Sequence, residues 1–176
     1  TTAVDSQGDV MLKLTKNEST TKLLVSSKTL TLASIVFKAM FNGKFAEGQG
    51  LSTATPPEVE LPDDDPVLME MLCNITHLRA SHILEDLSLS NLADFAILCD
   101  KYACVGAVYP WVKLWVQKPL SKPKQPDYEK LVLITYLMDL PQEFFTATQC
   151  LVRDRAACID PEVAAHGHEF LPAKLL

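Results

Sequence analysis

His166, His168 and Glu169, with Cys158 upstream, bring together the imidazole, carboxylate and thiolate groups that hold zinc. The two histidines flank Gly167 and have no second well-spaced ligand pair, so the same residues also read as scattered polar positions in a tail. His77 and His82 bracket an expected helix end and read as solvent-facing or capping side chains. The five cysteines, Cys73, Cys99, Cys104, Cys150 and Cys158, are an odd set, and none of their spacings is the two-residue gap of a redox or zinc pair. They read as reduced, mostly buried thiols, with Cys99 and Cys104 on or beside apolar helix faces. No Ser or Cys stands in a recognisable nucleophile and base arrangement, and the scattered glycines form no loop that would cradle phosphate. Asp63, Asp64 and Asp65 lack the alternating ligands and closing Glu of a calcium loop and read as helix capping. These residues imply a chain that is not an enzyme, with no catalytic residue, cofactor or metal.

The segment from Leu32 to Gly48 has a different character. Ser34 is placed to cap a helix, and Ile35, Phe37, Met40 and Phe41 recur near one turn, which gives a bulky apolar face that must be buried. Asn42 and Gly43 tolerate left-handed backbone and stop that helix, and Phe45 and Glu47 then fall on a loop. An exposed Phe beside a Glu suggests contact with another protein.

With 176 residues and 48% hydrophobic content, the chain has the size of one domain plus an appendage. A net charge of −6 disfavours direct contact with nucleic acid or an anionic membrane surface, which need clustered Lys and Arg. No apolar run approaches the roughly 20 residues of a membrane span. The N-terminus lacks the basic start and apolar stretch of a secretory signal, so the expected location is intracellular, cytoplasmic or nuclear.

The elements that position these residues follow from periodicity. Val10, Leu12 and Leu14 alternate with Met11, Lys13 and Thr15, and the stretch from Lys22 to Ser27 repeats a shorter strand after a polar turn at Asn17 to Thr20, which predicts a hairpin. A loop rich in Gly, Ser, Thr and Pro runs from Gly48 to Pro57, and a third strand follows at Glu58 to Leu61 with Val59 and Leu61 inward. Pro66 after three acids predicts a helix start, with Met69, Leu72, Cys73 and Ile75 on its stripe. A further helix is expected from about Ser90 to Cys99, burying Leu92, Phe95, Ala96 and Cys99. The next stretch carries Val108, Trp111, Val112 and Trp115, with a kink or division expected at Pro110. Trp111 and Trp115 read either as an exposed anchor for a partner or, more in keeping with their spacing, as residues buried between the main domain and the C-terminal helices.

Pro119, Pro123 and Pro126 mark residues 119–127 as a Pro/Lys-rich linker between a main domain over 1–118 and a helical extension over 128–176. In that extension a helical pair is expected at Tyr128 to Asp139 and Pro141 to about Asp154, the second presenting Phe144, Phe145, Thr148 and Leu151; Cys158 to Leu176 has weak periodicity. Short strands with more numerous helices, without regular alternation, give an α+β class dominated by helices.

The order of elements and the strings GDV, LASIVFKAMF, VELPDDDP and DKYACVGAVYPW resemble a BTB/POZ domain of the shorter kind common in fungi, over residues 8 to about 117. The resemblance implies a helical cluster flanked by a small sheet of short strands, used for homomeric or heteromeric protein contacts and without enzymatic activity. Family members that act as substrate adaptors of cullin-type ubiquitin ligases often carry a hydrophobic residue, any residue, then Glu in the loop after the helix, and Phe45-Ala46-Glu47 matches in place. The other reading of the same residues packs Phe45 back on the domain and leaves Glu47 solvated. Members that bind corepressor peptides are similar in Asp9, a candidate groove residue, but usually have His and a basic residue where this chain has Ser26 and Ser27. Many animal members exchange an extra helix in a dimer, and only seven residues precede Gly8 here. The partner classes implied are therefore a protein partner, a second copy as a homodimer, or a cullin scaffold. A transcription-regulator role through the same module is disfavoured because no zinc-finger spacing or basic region appears.

Overall fold

The computed structural model describes residues 1–17, 19–121 and 127–154. The chain is α+β, with four short strands and, among the described residues, seven α-helices. By the density of its contacts it divides into two units. The first comprises Thr1–Leu84 with Lys101–Val108, and the second Glu85–Asp100 with the described residues from Tyr109 onward.

The first unit is organised by strands β1 (Thr2–Ala3), β2 (Val10–Lys16), β3 (Ser19–Val25) and β4 (Glu58–Glu60), in the order β1-β3-β2-β4. β2 and β3 form the expected antiparallel hairpin, closed at Asn17 with φ +49°, while β1 and β4 pair in parallel with their neighbours. Alternation decides which face is buried: Val10, Leu12, Leu14, Leu23, Val25 and Val59 are inside. On the opposite face Lys13 and Lys22 sit directly across from one another, and like charges there would repel. Each is neutralised from β4, Lys13 by Glu60 at 2.8 Å and Lys22 by Glu58.

Gly8 shows why β2 enters where it does. A Cβ on Gly8 would lie 2.7 Å from the Val25 carbonyl oxygen, so only glycine lets the chain pass this close to the end of β3.

β3 ends at Val25, short of the predicted Ser27, and the chain turns at once into helix α1 (Ser27–Ala33), which periodicity did not predict. Helix α2 (Ile35–Met40) follows after Ser34. The Ser34 hydroxyl accepts from the Phe37 amide at 3.0 Å and donates to the Tyr102 carbonyl, so one side chain both caps α2 and anchors it. Phe37 and Phe41 are buried, with Phe37 stacked on Tyr102 at 4.5 Å between centroids. Ile35, expected on the same buried face, is 73% exposed. In a helix this short the one-turn pair Phe37 and Phe41 fixes the inward face, and Ile35 at the first position lies off it.

Helix α3 (Pro66–Thr76) begins as the acids and proline predict. The Asp65 carboxylate accepts from the Val67 and Leu68 amides, a cap worth about 1 kcal/mol. Met69, Leu72, Cys73 and Ile75 are buried, and α3 lies against β2 and β3. Leu61, just past β4, is buried with Val59, as the sequence indicates.

The remaining elements are helices; Lys101 and Val105–Val108, at the ends of two of them, belong to the first unit and the rest to the second. Helix α4 (Leu89–Lys101) buries Leu92, Phe95, Ala96 and Cys99. Helix α5 (Val105–Leu120) runs through Pro110 without division and on through Pro119 into the stretch read as linker; residues 122–126 of that stretch lie outside the described residues. Trp115 is buried edge-on against Phe95 at 5.9 Å, and Trp111 is half-buried beside it. Helix α6 (Tyr128–Leu137) and helix α7 (Pro141–Asp154) pack through Tyr128, Leu131 and Val132 against Ala147 and Leu151. Phe144 joins this cluster as a partly buried residue, whereas Phe145 is exposed. Among the described residues no helix is long and apolar enough to cross a membrane. Cys158, His166, His168 and Glu169 lie outside the described residues.

Candidate interaction surface

The loop carrying Phe45 and Glu47 is built from the end of α2. Gly43 takes φ +80°, a backbone conformation that glycine adopts without strain, and the Asn42 side chain accepts from the Lys44 amide at 2.9 Å. The chain then makes one 3₁₀ turn, Ala46–Gly48, closed by bonds from the Gly48 amide to the Phe45 carbonyl and from the Gln49 amide to the Ala46 carbonyl. Gly48 returns against the helix end. A Cβ there would lie 2.7 Å from the Gly43 nitrogen and 2.9 Å from the Met40 carbonyl oxygen. The loop is therefore held to α2 through backbone packing rather than through its side chains.

Phe45 does not fold back into the core. It is 55% exposed, and Glu47 is exposed two residues on. Leu32 and Ile35, near the adjoining ends of α1 and α2, add exposed apolar surface. From Ser19 to Pro57 Glu47 is the only acid, against Lys22, Lys28, Lys38 and Lys44. The stretch is locally basic in an acidic chain, a pattern that a residue-by-residue reading of the loop overlooked and that a running charge count along the sequence would have found.

Asp9 has a local task. Its two carboxylate oxygens accept from the amide and the hydroxyl of Ser27, each at 2.7 Å, at the start of α1. The Ser26 side chain accepts from the Thr29 amide, and the Ser26 amide donates to Nε2 of His77 at 3.0 Å. Because Nε2 accepts, the ring proton is on Nδ1, which donates to the Cys73 carbonyl at 2.8 Å. His77 thus caps α3 and also ties it to the N-terminus of α1, half-buried rather than solvent-facing. Burial pushes its pKa below the ordinary imidazole value, opposed by the Cys73 carbonyl and the charge of Asp5. His82, by contrast, is exposed and lies 3.0 Å from the Arg79 guanidinium.

The three consecutive acids separate into distinct roles. Asp63 is exposed, Asp65 caps α3, and Asp64 is buried, accepting from the Tyr102 hydroxyl at 2.5 Å and from Lys101 at 2.6 Å. Burial, followed by the bond to Asp64, raises the Tyr102 phenol well above its usual range. Cys73, Cys99 and Cys104 are buried thiols outside any disulfide and Cys150 is half-buried; burial raises Cys73 well above the ordinary thiol value. In the second unit a cavity of about 400 Å³ opens beside Trp115, and its Lys118 is paired with Asp86 at 2.6 Å.

No protein-family model matches this chain, and no curated protein matches it either.

Proposed function

We propose that this chain is a non-enzymatic protein-interaction module of the BTB/POZ type, working inside the cell, and that the loop bearing Phe45 and Glu47 is its partner contact. The observation that carries the reading is Phe45. A phenylalanine that is 55% exposed, on a loop pressed onto its own helix end by Gly48, offers apolar area without the cost of ordering a mobile segment. Glu47 supplies a charge that fixes the orientation of what binds.

Within this reading the narrower function is that of a substrate adaptor on a cullin scaffold, favoured by the same exposure of Phe45 and Glu47. The corepressor-groove reading has less support, because Asp9 is already engaged by Ser27. Calorimetric titration with the N-terminal domain of a cullin tests the adaptor role, using the native chain beside folded Phe45→Ala and Glu47→Ala variants. Saturable binding weakened by both changes is the expected result. No binding at tens of micromolar, about −6 to −7 kcal/mol, would leave self-association or another protein partner, and light scattering at several concentrations then separates a dimer from a constant monomer.

A further inference from the structure

We propose that Thr55 is a phosphate-acceptor site for a proline-directed Ser/Thr protein kinase. Of the 11 prolines in the chain, only Pro56 follows a Ser or Thr. Thr55 is exposed, and among the described residues its hydroxyl has no hydrogen-bond partner, whereas the neighbouring Ser52 hydroxyl is occupied by the Ala54 and Thr55 amides. The segment is presented in a fixed place. Ser52 donates its amide to the Asp9 carbonyl at 3.2 Å, and the Pro57 carbonyl accepts from the Met11 amide at 2.9 Å, so β2 and the residue just before it hold both ends. Between those ties the chain bends over Thr53–Thr55, and the proline after Thr55 disfavours helical backbone there, which suits a segment that a kinase cleft takes up.

The transfer is ordinary phosphoryl chemistry with Mg-ATP as donor. The Thr55 hydroxyl oxygen attacks the γ-phosphorus, the bond to the bridging oxygen breaks, ADP leaves with the electron pair, and the kinase's carboxylate takes the hydroxyl proton. The product carries about −1.5 to −2 charges at neutral pH. It would lie in the same α2–β4 connection as Phe45 and Glu47, where Lys44 is the one cation and Glu47 the one acid.

The test is incubation of the folded full chain with a purified proline-directed kinase and Mg-ATP, read by intact mass and fragment mapping. The expected result is a single phosphate on Thr55, lost in Thr55→Ala and in Pro56→Ala, which keeps the hydroxyl, and retained in Thr53→Ala. A synthetic peptide spanning residues 49–61 serves as the unfolded control. Phosphate on the peptide but none on the folded chain would overturn the proposal, because the fold would then withhold the hydroxyl. Phosphate that persists in Thr55→Ala, or no phosphate on either substrate, would overturn it equally.

Discussion

Asp9 and Ser27 are joined by two bonds of 2.7 Å, the carboxylate on the first long strand accepting both the amide and the hydroxyl at the start of α1. A helix of seven residues is marginal alone, and this one is held at its N-terminus by groups distant in sequence. Asp9→Ala leaves two partly buried donors unanswered and is expected to cost about 1–3 kcal/mol. Asp9→Asn, which keeps one acceptor, should lose less. Urea unfolding of the three proteins checks both; a neutral Asp9→Ala would mean that water replaces the carboxylate.

His77 predicts a dependence of stability on pH. Its folded pKa lies below the ordinary value of 6.5, so the unfolded chain takes up the proton first as pH falls. Its share of stability is complete above 6.5 and declines as pH falls from there through the folded pKa. Protonation would also turn Nε2 into a donor facing the Ser26 amide. Unfolding midpoints from about pH 7.5 to about pH 5 should fall more steeply for the native chain than for His77→Gln, which does not titrate. Parallel slopes would remove His77 as the cause.

Phe37 is the side chain on which α2 is seated. Its ring is 1% exposed and stacked between Phe41 and Tyr102. Phe37→Ala should cost about 3–5 kcal/mol by chemical unfolding, whereas Phe45→Ala, removing an exposed ring, should stay within about 0.5 kcal/mol. A large loss from Phe45→Ala would make that residue structural.

Gly48→Ala separates the shape of the loop from its side chains. The added methyl meets backbone atoms of Met40 and Gly43 and cannot be accommodated by a side-chain turn, so the predicted cost is about 1–3 kcal/mol. Loss of partner binding with Phe45 and Glu47 both present would show that their placement matters; undiminished binding and stability would show a loop that adjusts freely.

Much of this fold was legible where a local signal and a tertiary role coincide. Asp65 and Pro66 announce α3, and alternation from Val10 to Leu14 gives both the strand and its buried face. Helix α1 was not legible, because Thr29 and Thr31 are β-branched, the helix is short, and the groups that satisfy its first amides, Asp9 and His77, lie elsewhere in the chain. Ser26 as a cap was the one local clue. Ile35 was misplaced for a related reason: the one-turn spacing was real, but which residue of a two-turn helix faces out is set by the seat of Phe37. Phe45 and Glu47 were readable because Asn42 and Gly43 end the helix just before them, whereas the bonds that occupy Asp9 depend on long-range contact.

The buried thiols give this chain its own reaction clocks. An alkylating reagent must reach the sulfur, so the buried Cys73, Cys99 and Cys104 stay silent until their surroundings open. Cys73 and Cys104 belong to the first unit and Cys99 to the second, so peptide-mapped labelling in rising denaturant times the opening of each unit separately. These buried cysteines thereby report whether the two units open together or in turn.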